Sequence, residues 1–183
     1  MKNQAITLGK IGILLPVAVI IPFIGSLAGL ASLVLLLISF NYFSKVYENP
    51  AIFNKMLIGT IISIAGCIIG SIIIGISVGL AAFSLSASGT DDMGIQQIIN
   101  LIFGSGFTIL GFIIMVAGFI IGYYFVFKAL KILAEKTGVG LFKTAGLLYF
   151  IGALTSVIFI GFLLMLIGWI INIIAFFTVK AEN

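Results

Sequence analysis

The sequence predicts an all-α fold: a polytopic transmembrane helix bundle of six spans, with a short amphipathic helix on the outer surface. Three observations predict it. The 183 residues are 62% hydrophobic and 8% charged, whereas a soluble domain carries about 25% charged residues to coat its surface. Four stretches, 11–44, 56–90, 93–127 and 144–179, contain no charged residue. The basic residues are nine lysines without an arginine, and none lies between Met56 and Phe127.

The first charge-free stretch is too long for one span. Its 34 residues would form a helix about 51 Å long, needing a tilt of about 54° in a hydrocarbon core of about 30 Å, steeper than spans adopt. Pro22, Phe23, Ile24, Gly25 and Ser26 supply the break: a proline incompatible with a helix interior, a glycine free to turn, and a serine able to cap the next helix. Helix 1 is placed at 4–21 and helix 2 at 27–47. Lys2 and Lys10 before an apolar run, with Ser26, Leu27 and Ala28 beyond it, imitate a secretory signal. The apolar run resumes at once through Ser39, so a hairpin is expected rather than cleavage.

Asn49 and Pro50 announce helix 3, with Asn as N-cap and Pro at the first helical position. It is placed at 50–83, with 84–90 as an exit loop. Beyond Asp91 and Asp92, the isoleucines 95, 98, 99 and 102 share one helical face opposite Gln96, Gln97 and Asn100, the pattern of a helix lying flat on the membrane. Gly104, Ser105 and Gly106 separate it from helix 4, placed at 107–136 and ended at Thr137 and Gly138. In the last stretch Phe159, Ile160 and Gly161 repeat the Phe-Ile-Gly of the first hairpin. They divide helix 5, at 140–158, from helix 6, at 162–180; without a proline, a single bent helix stays open.

Six crossings put all nine lysines on one side, whereas four would divide them six against three. The positive-inside bias selects six, with both termini cytoplasmic and the Asp91–Asp92 loop outside. The chain is expected to be one integral domain, 1–183, of the cell membrane.

Little here could carry chemistry. There is no histidine, and no Asp, Glu, Lys or Arg falls near a predicted midplane, where pumps and intramembrane enzymes place such groups. The single cysteine, Cys67, forms no intrachain disulfide and sits among Ile and Gly as a packing residue. Asp91 and Asp92 supply too few oxygens for a cation site. No catalytic residue, metal or cofactor is expected. The lysines flank apolar segments as topology signals and form no nucleic-acid surface.

Two groups remain as candidate sites. Gly59, Gly66 and Gly70, with Ser63, lie on one face of helix 3; Gly75 and Gly79 continue further along, and helix 4 carries Gly111, Gly118 and Gly122. Small residues at such spacing let backbones approach, within the chain or between copies. Lys128, Lys131, Lys136 and Lys143 around the second cytoplasmic loop suit anionic lipid headgroups. Within the spans, Asn41 and Asn172 could hydrogen-bond between helices, and Trp169 is read as core or lipid-facing. Phe40, Tyr42, Phe43 and Tyr47, and Tyr123, Tyr124, Phe125 and Phe127, fall near cytoplasmic helix ends like an interfacial belt.

Several motifs carry a family likeness. They are Leu133-Ala134-Glu135-Lys136-Thr137-Gly138, the run from Phe142 to Tyr149, and Ala175-Phe176-Phe177. Nearer the N-terminus they are Ile21-Pro22-Phe23-Ile24-Gly25, Ser44-Lys45-Val46-Tyr47 and Ile52-Phe53-Asn54. With these the chain resembles a small, mainly archaeal family of multi-pass membrane proteins classed only as a domain of unknown function. The resemblance implies an integral membrane protein and assigns no residue a role.

The expected function is that of a non-enzymatic scaffold or accessory subunit, whose partners are the lipid bilayer and itself or another membrane protein. The alternative is a small transporter or channel for neutral or lipid-like solutes.

Overall fold

The computed structural model of the protein describes residues 1–20, 24–87 and 106–180. The described residues form six α-helices and no strand. They are α1 (Lys2–Leu14), α2 (Ile24–Val46), α3 (Pro50–Ala87), α4 (Gly106–Thr137), α5 (Leu141–Leu154) and α6 (Ile160–Thr178), with 3-10 segments at Leu15–Ile20 and Ser156–Ile158. Within α2, α3, α4 and α6, four segments are long and apolar enough to cross a membrane; α5, although apolar, is shorter. The expected surface helix, the Asp91–Asp92 loop, and Pro22 and Phe23 of the first break lie outside the described residues.

Helix ends follow local chemistry. α2 closes in a Schellman motif: Asn49 N–H donates to Ser44 O at 2.9 Å and Glu48 N–H to Lys45 O at 3.4 Å, with Glu48 left-handed at φ 48°. Asn49 then starts α3 as expected, its Oδ1 accepting the Ala51 N–H at 3.1 Å. α4 stops at Gly138, where φ is +73° and the N–H returns to Ala134 O at 3.0 Å. Some boundaries need correction, helix 5 among them, whose α-helical part ends at Leu154 and not 158. α3 continues to Ala87, so residues 84–87 are helical instead of an exit loop. The α-helical part of the first segment ends at Leu14, not 21, and gives way to a 3-10 segment containing Pro16. Pro16 lacks the N–H that would bond Gly12 O in a continuing α-helix.

The last charge-free stretch is two helices, which settles the alternative left open by the sequence. Thr155 and Ser156 return their hydroxyls to Ile151 O and Ala153 O at 2.9 Å each, adding side-chain donors to carbonyls of the last turn. The left-handed residue at the junction is Phe159, φ 56° and 83% exposed, and not the glycine of the Phe-Ile-Gly cue. Gly161 serves close packing instead: a methyl group built on it would run into Gly152 O and the Ser156 backbone.

The contacts divide the chain into two compact units, Met1–Thr60 with Gly122–Asn183, and Ile61–Ile121. In the first unit α1 runs antiparallel to α2. Ser39 Oγ donates to Ala5 O and Ser32 Oγ to Gly12 O, each at 2.6 Å. α6 also lies antiparallel to α1, with the Trp169 indole N–H on Ile13 O at 3.0 Å. The unit's core gathers Ala5, Phe43, Ile52, Leu133, Phe142 and Phe176. Phe176 is its hub, edge-on to Phe142 at 5.1 Å and to Phe40 at 6.4 Å, and 6.3 Å from Phe43. Phe40 and Phe43 are therefore core residues, 1% and 0% exposed, and not members of an interfacial belt. Helical period turns positions 40 and 43 toward α1 and α6, while Tyr42 and Tyr47 stay half-buried.

In the second unit α3 and α4 pair antiparallel. Gly66 faces Gly118, Gly70 faces Gly111, and the hydroxyls of Ser77 and Thr108 are 2.9 Å apart.

Candidate functional site

The glycine candidates lie where two backbones meet. A methyl group built on Gly66 would stand 2.7 Å from Gly118 Cα, and one on Gly118 the same distance from Gly66 Cα. A methyl on Gly70 would meet Gly111 O at 2.6 Å and Met115 Cβ at 2.7 Å. In the first unit, one on Gly59 would meet Gly122 O at 2.6 Å. Each distance is below what a real Cβ tolerates, so these positions require the absence of a side chain. Gly75 and Gly79 share the sequence spacing but have nothing within 4 Å of a built Cβ. Spacing alone does not distinguish the two sets; the facing helix does.

The lysine candidates occupy the end of α4 and the start of α5. Lys131, Lys136 and Lys143 are exposed, and Lys128 is half-buried with Nζ 4.5 Å from the Tyr124 ring centroid. That stacking holds the aliphatic stem against the helix and leaves the ammonium at the surface. Lys10 makes a comparable contact across elements, Nζ lying 4.8 Å from the Phe177 ring centroid.

Three interior polar groups have specific partners that the sequence does not reveal. Ser32 and Trp169 donate to the successive carbonyls of Gly12 and Ile13, where α1 changes to 3-10 geometry. In an apolar medium such carbonyls need donors from neighbouring helices. Asn172 is 5% exposed and hydrogen-bonds Tyr149. Its Oδ1 has no partner, so the amide nitrogen is the group on the phenol. Tyr149 also packs against Tyr123, ring centroids 5.9 Å apart.

Among the described residues no group of three His, Cys, Asp or Glu side chains could hold a metal. The arrangement binds helices to one another and presents ammonium groups at helix ends.

The apolar helices are consistent with a membrane protein, four of them long and apolar enough to cross a bilayer. The chain belongs to the family described as protein of unknown function DUF996, which matches residues 28–170. It is 32% identical over 164 residues to an uncharacterized protein, MJ1644, of Methanocaldococcus jannaschii, covering 87% of this chain and 86% of that one. No solved structure matches.

Proposed function

We propose that the protein is a non-enzymatic scaffold or accessory subunit of the cell membrane, crossing it six times with both termini in the cytoplasm. The observation that carries this reading is the backbone contact of Gly66 with Gly118, which leaves no room for a conduit between those helices at that level. Closely packed glycine helices suit a protein whose work is to hold position beside itself or another membrane protein.

Six crossings gain support from the first unit. Its core joins Ala5, Phe43, Ile52, Leu133, Phe142 and Val179, residues that each stand within a few positions of a lysine. Six helix ends bearing lysines thus meet at one core, the distribution that positive-inside bias favours. α1 is only about 20 Å long, but its 3-10 extension rises about 2 Å per residue and brings the segment to about 32 Å. α5 is lengthened by its own 3-10 turn in the same way. Lys128, Lys131, Lys136 and Lys143 then face the cytoplasmic leaflet, where each contributes about 1 kcal/mol toward anionic headgroups.

A second reading, a small transporter or channel for neutral or lipid-like solutes, draws on the buried, unpartnered Oδ1 of Asn172. Proteoliposome flux separates the two. Impermeability to every neutral solute class, with a membrane protein co-purifying stably, supports the scaffold; saturable flux abolished by Asn172→Leu overturns it.

A further inference from the structure

On α2, Ile38, Asn41, Tyr42 and Lys45 line a cleft of about 130 Å³. They follow one another at helical spacing on a single face. No hydrogen bond engages the Asn41, Tyr42 or Lys45 side chains among the described residues, so a cation, an amide and a phenol converge with their donors unspent. Below them the same face continues as an exposed apolar stripe: Ile38, Val34, Leu30 and Leu27 are 40%, 52%, 66% and 69% exposed. Polar groups at the end of a span, with an apolar track leading toward its middle, match the two parts of a phospholipid.

We propose that this face of α2 is a binding site for an anionic phospholipid. Lys45 neutralises the phosphate, Asn41 and Tyr42 donate hydrogen bonds to its oxygens, and one acyl chain lies along Ile38 and Val34. The distances fit: Val34 lies 11 residues from Lys45, about 16 Å along the helix, against a monolayer hydrocarbon depth of about 15 Å. The Schellman closure helps, because the Ser44 and Lys45 carbonyls already have donors and do not turn free lone pairs toward the anion. Charge sets the choice of ligand. The cleft offers one ammonium and no carboxylate, which suits a phosphodiester whose headgroup adds no cation of its own. The site rests on the reading that α2 spans the bilayer.

The test uses the full chain in detergent micelles, titrated with phosphatidylglycerol or phosphatidylcholine, with bound lipid counted by native mass spectrometry. Wild type is expected to prefer phosphatidylglycerol. Lys45→Gln lowers that affinity about fivefold, the factor for one lysine at a lipid surface, and Lys45→Arg retains it. Tyr42→Phe gives a smaller loss, and Lys180→Gln, at an exposed lysine outside the cleft, changes affinity by less than twofold. Glycerol phosphate, a headgroup without chains, does not compete at the same concentration. Equal binding of the two lipids, an unchanged Lys45→Gln, a Lys180→Gln loss as large as that of Lys45→Gln, or full competition by glycerol phosphate would each overturn the site. Alkaline carbonate extraction from vesicles separates this failure from the other: protein that stays inserted without lipid preference contradicts only the site, whereas protein released contradicts the membrane-spanning reading.

Discussion

Ser32 donates its hydroxyl to the Gly12 carbonyl at 2.6 Å, and that carbonyl is the one whose α-helical donor Pro16 removes. A backbone defect in α1 is thus repaired by a side chain of α2, which fixes the register of the hairpin. Ser32→Ala is expected to cost about 1–2 kcal/mol, because the freed carbonyl lies where water does not replace the donor. In a Pro16→Ala background the N–H of residue 16 returns and the cost falls to a few tenths. A double-mutant cycle read by thermal unfolding in micelles checks this. Equal costs in both backgrounds would show that the hydroxyl does not serve the proline defect.

Trp169 serves the neighbouring carbonyl, Ile13 O, across the α1–α6 contact. Trp169→Phe keeps the ring and loses the N–H, so a loss of about 1 kcal/mol is expected in the same unfolding assay. Lys10 stacks on Phe177 at that contact, and its replacement by Gln should lose less, about 0.5 kcal/mol. A Trp169→Phe variant as stable as wild type would remove the hydrogen bond from this account.

Gly66→Ala places a methyl 2.7 Å from Gly118 Cα, where the obstacle is backbone and cannot rotate aside. The expected cost is about 1–3 kcal/mol. Gly79→Ala meets nothing within 4 Å and should be neutral or slightly stabilising, since alanine favours the helix. Circular dichroism melts of the two variants, compared side by side, measure the difference. Equal melting points would mean that the α3–α4 backbones do not approach in the membrane.

Glu48 holds the left-handed position of the α2 closure, at φ 48°, where L residues are strained and glycine is not. An acidic side chain is also unfavourable at a helix C-terminus. Glu48→Gly is therefore expected to stabilise by about 0.5–1 kcal/mol, raising Tm by about 1–3 °C. A lower Tm would mean that Glu48 makes a stabilising contact outweighing its strain.

What the sequence reveals is local. Asn49 with Pro50, and Gly138, mark helix ends through groups within a few residues, and the structure uses them as expected. Phe159 is not legible as a left-handed residue, because its side chain argues against that conformation, and Gly161, two residues on, draws attention for a role it does not play. Pro16 escapes notice because the apolar run around it continues unbroken, and a 3-10 segment has no hydrophobic signature of its own. Partners separated along the chain are beyond reach. Ser32 and Ser39 resemble any serine in an apolar helix until the carbonyls of Gly12 and Ala5 come alongside. The cleft on α2 is partly visible, since Ile38, Asn41, Tyr42 and Lys45 keep helical spacing, but the unspent state of their donors depends on what the other helices leave uncovered.

The claim on which the rest depends is that α1 and α5, like the four longer helices, cross the membrane. Single cysteines at Lys2, Lys136 and Phe159, each in a Cys67→Ser background, can be probed in intact cells with an impermeant maleimide. Six crossings predict that position 159 reacts from outside while positions 2 and 136 react only after lysis. Protection of 136 and 159 together, or outside labelling at position 2, would contradict it.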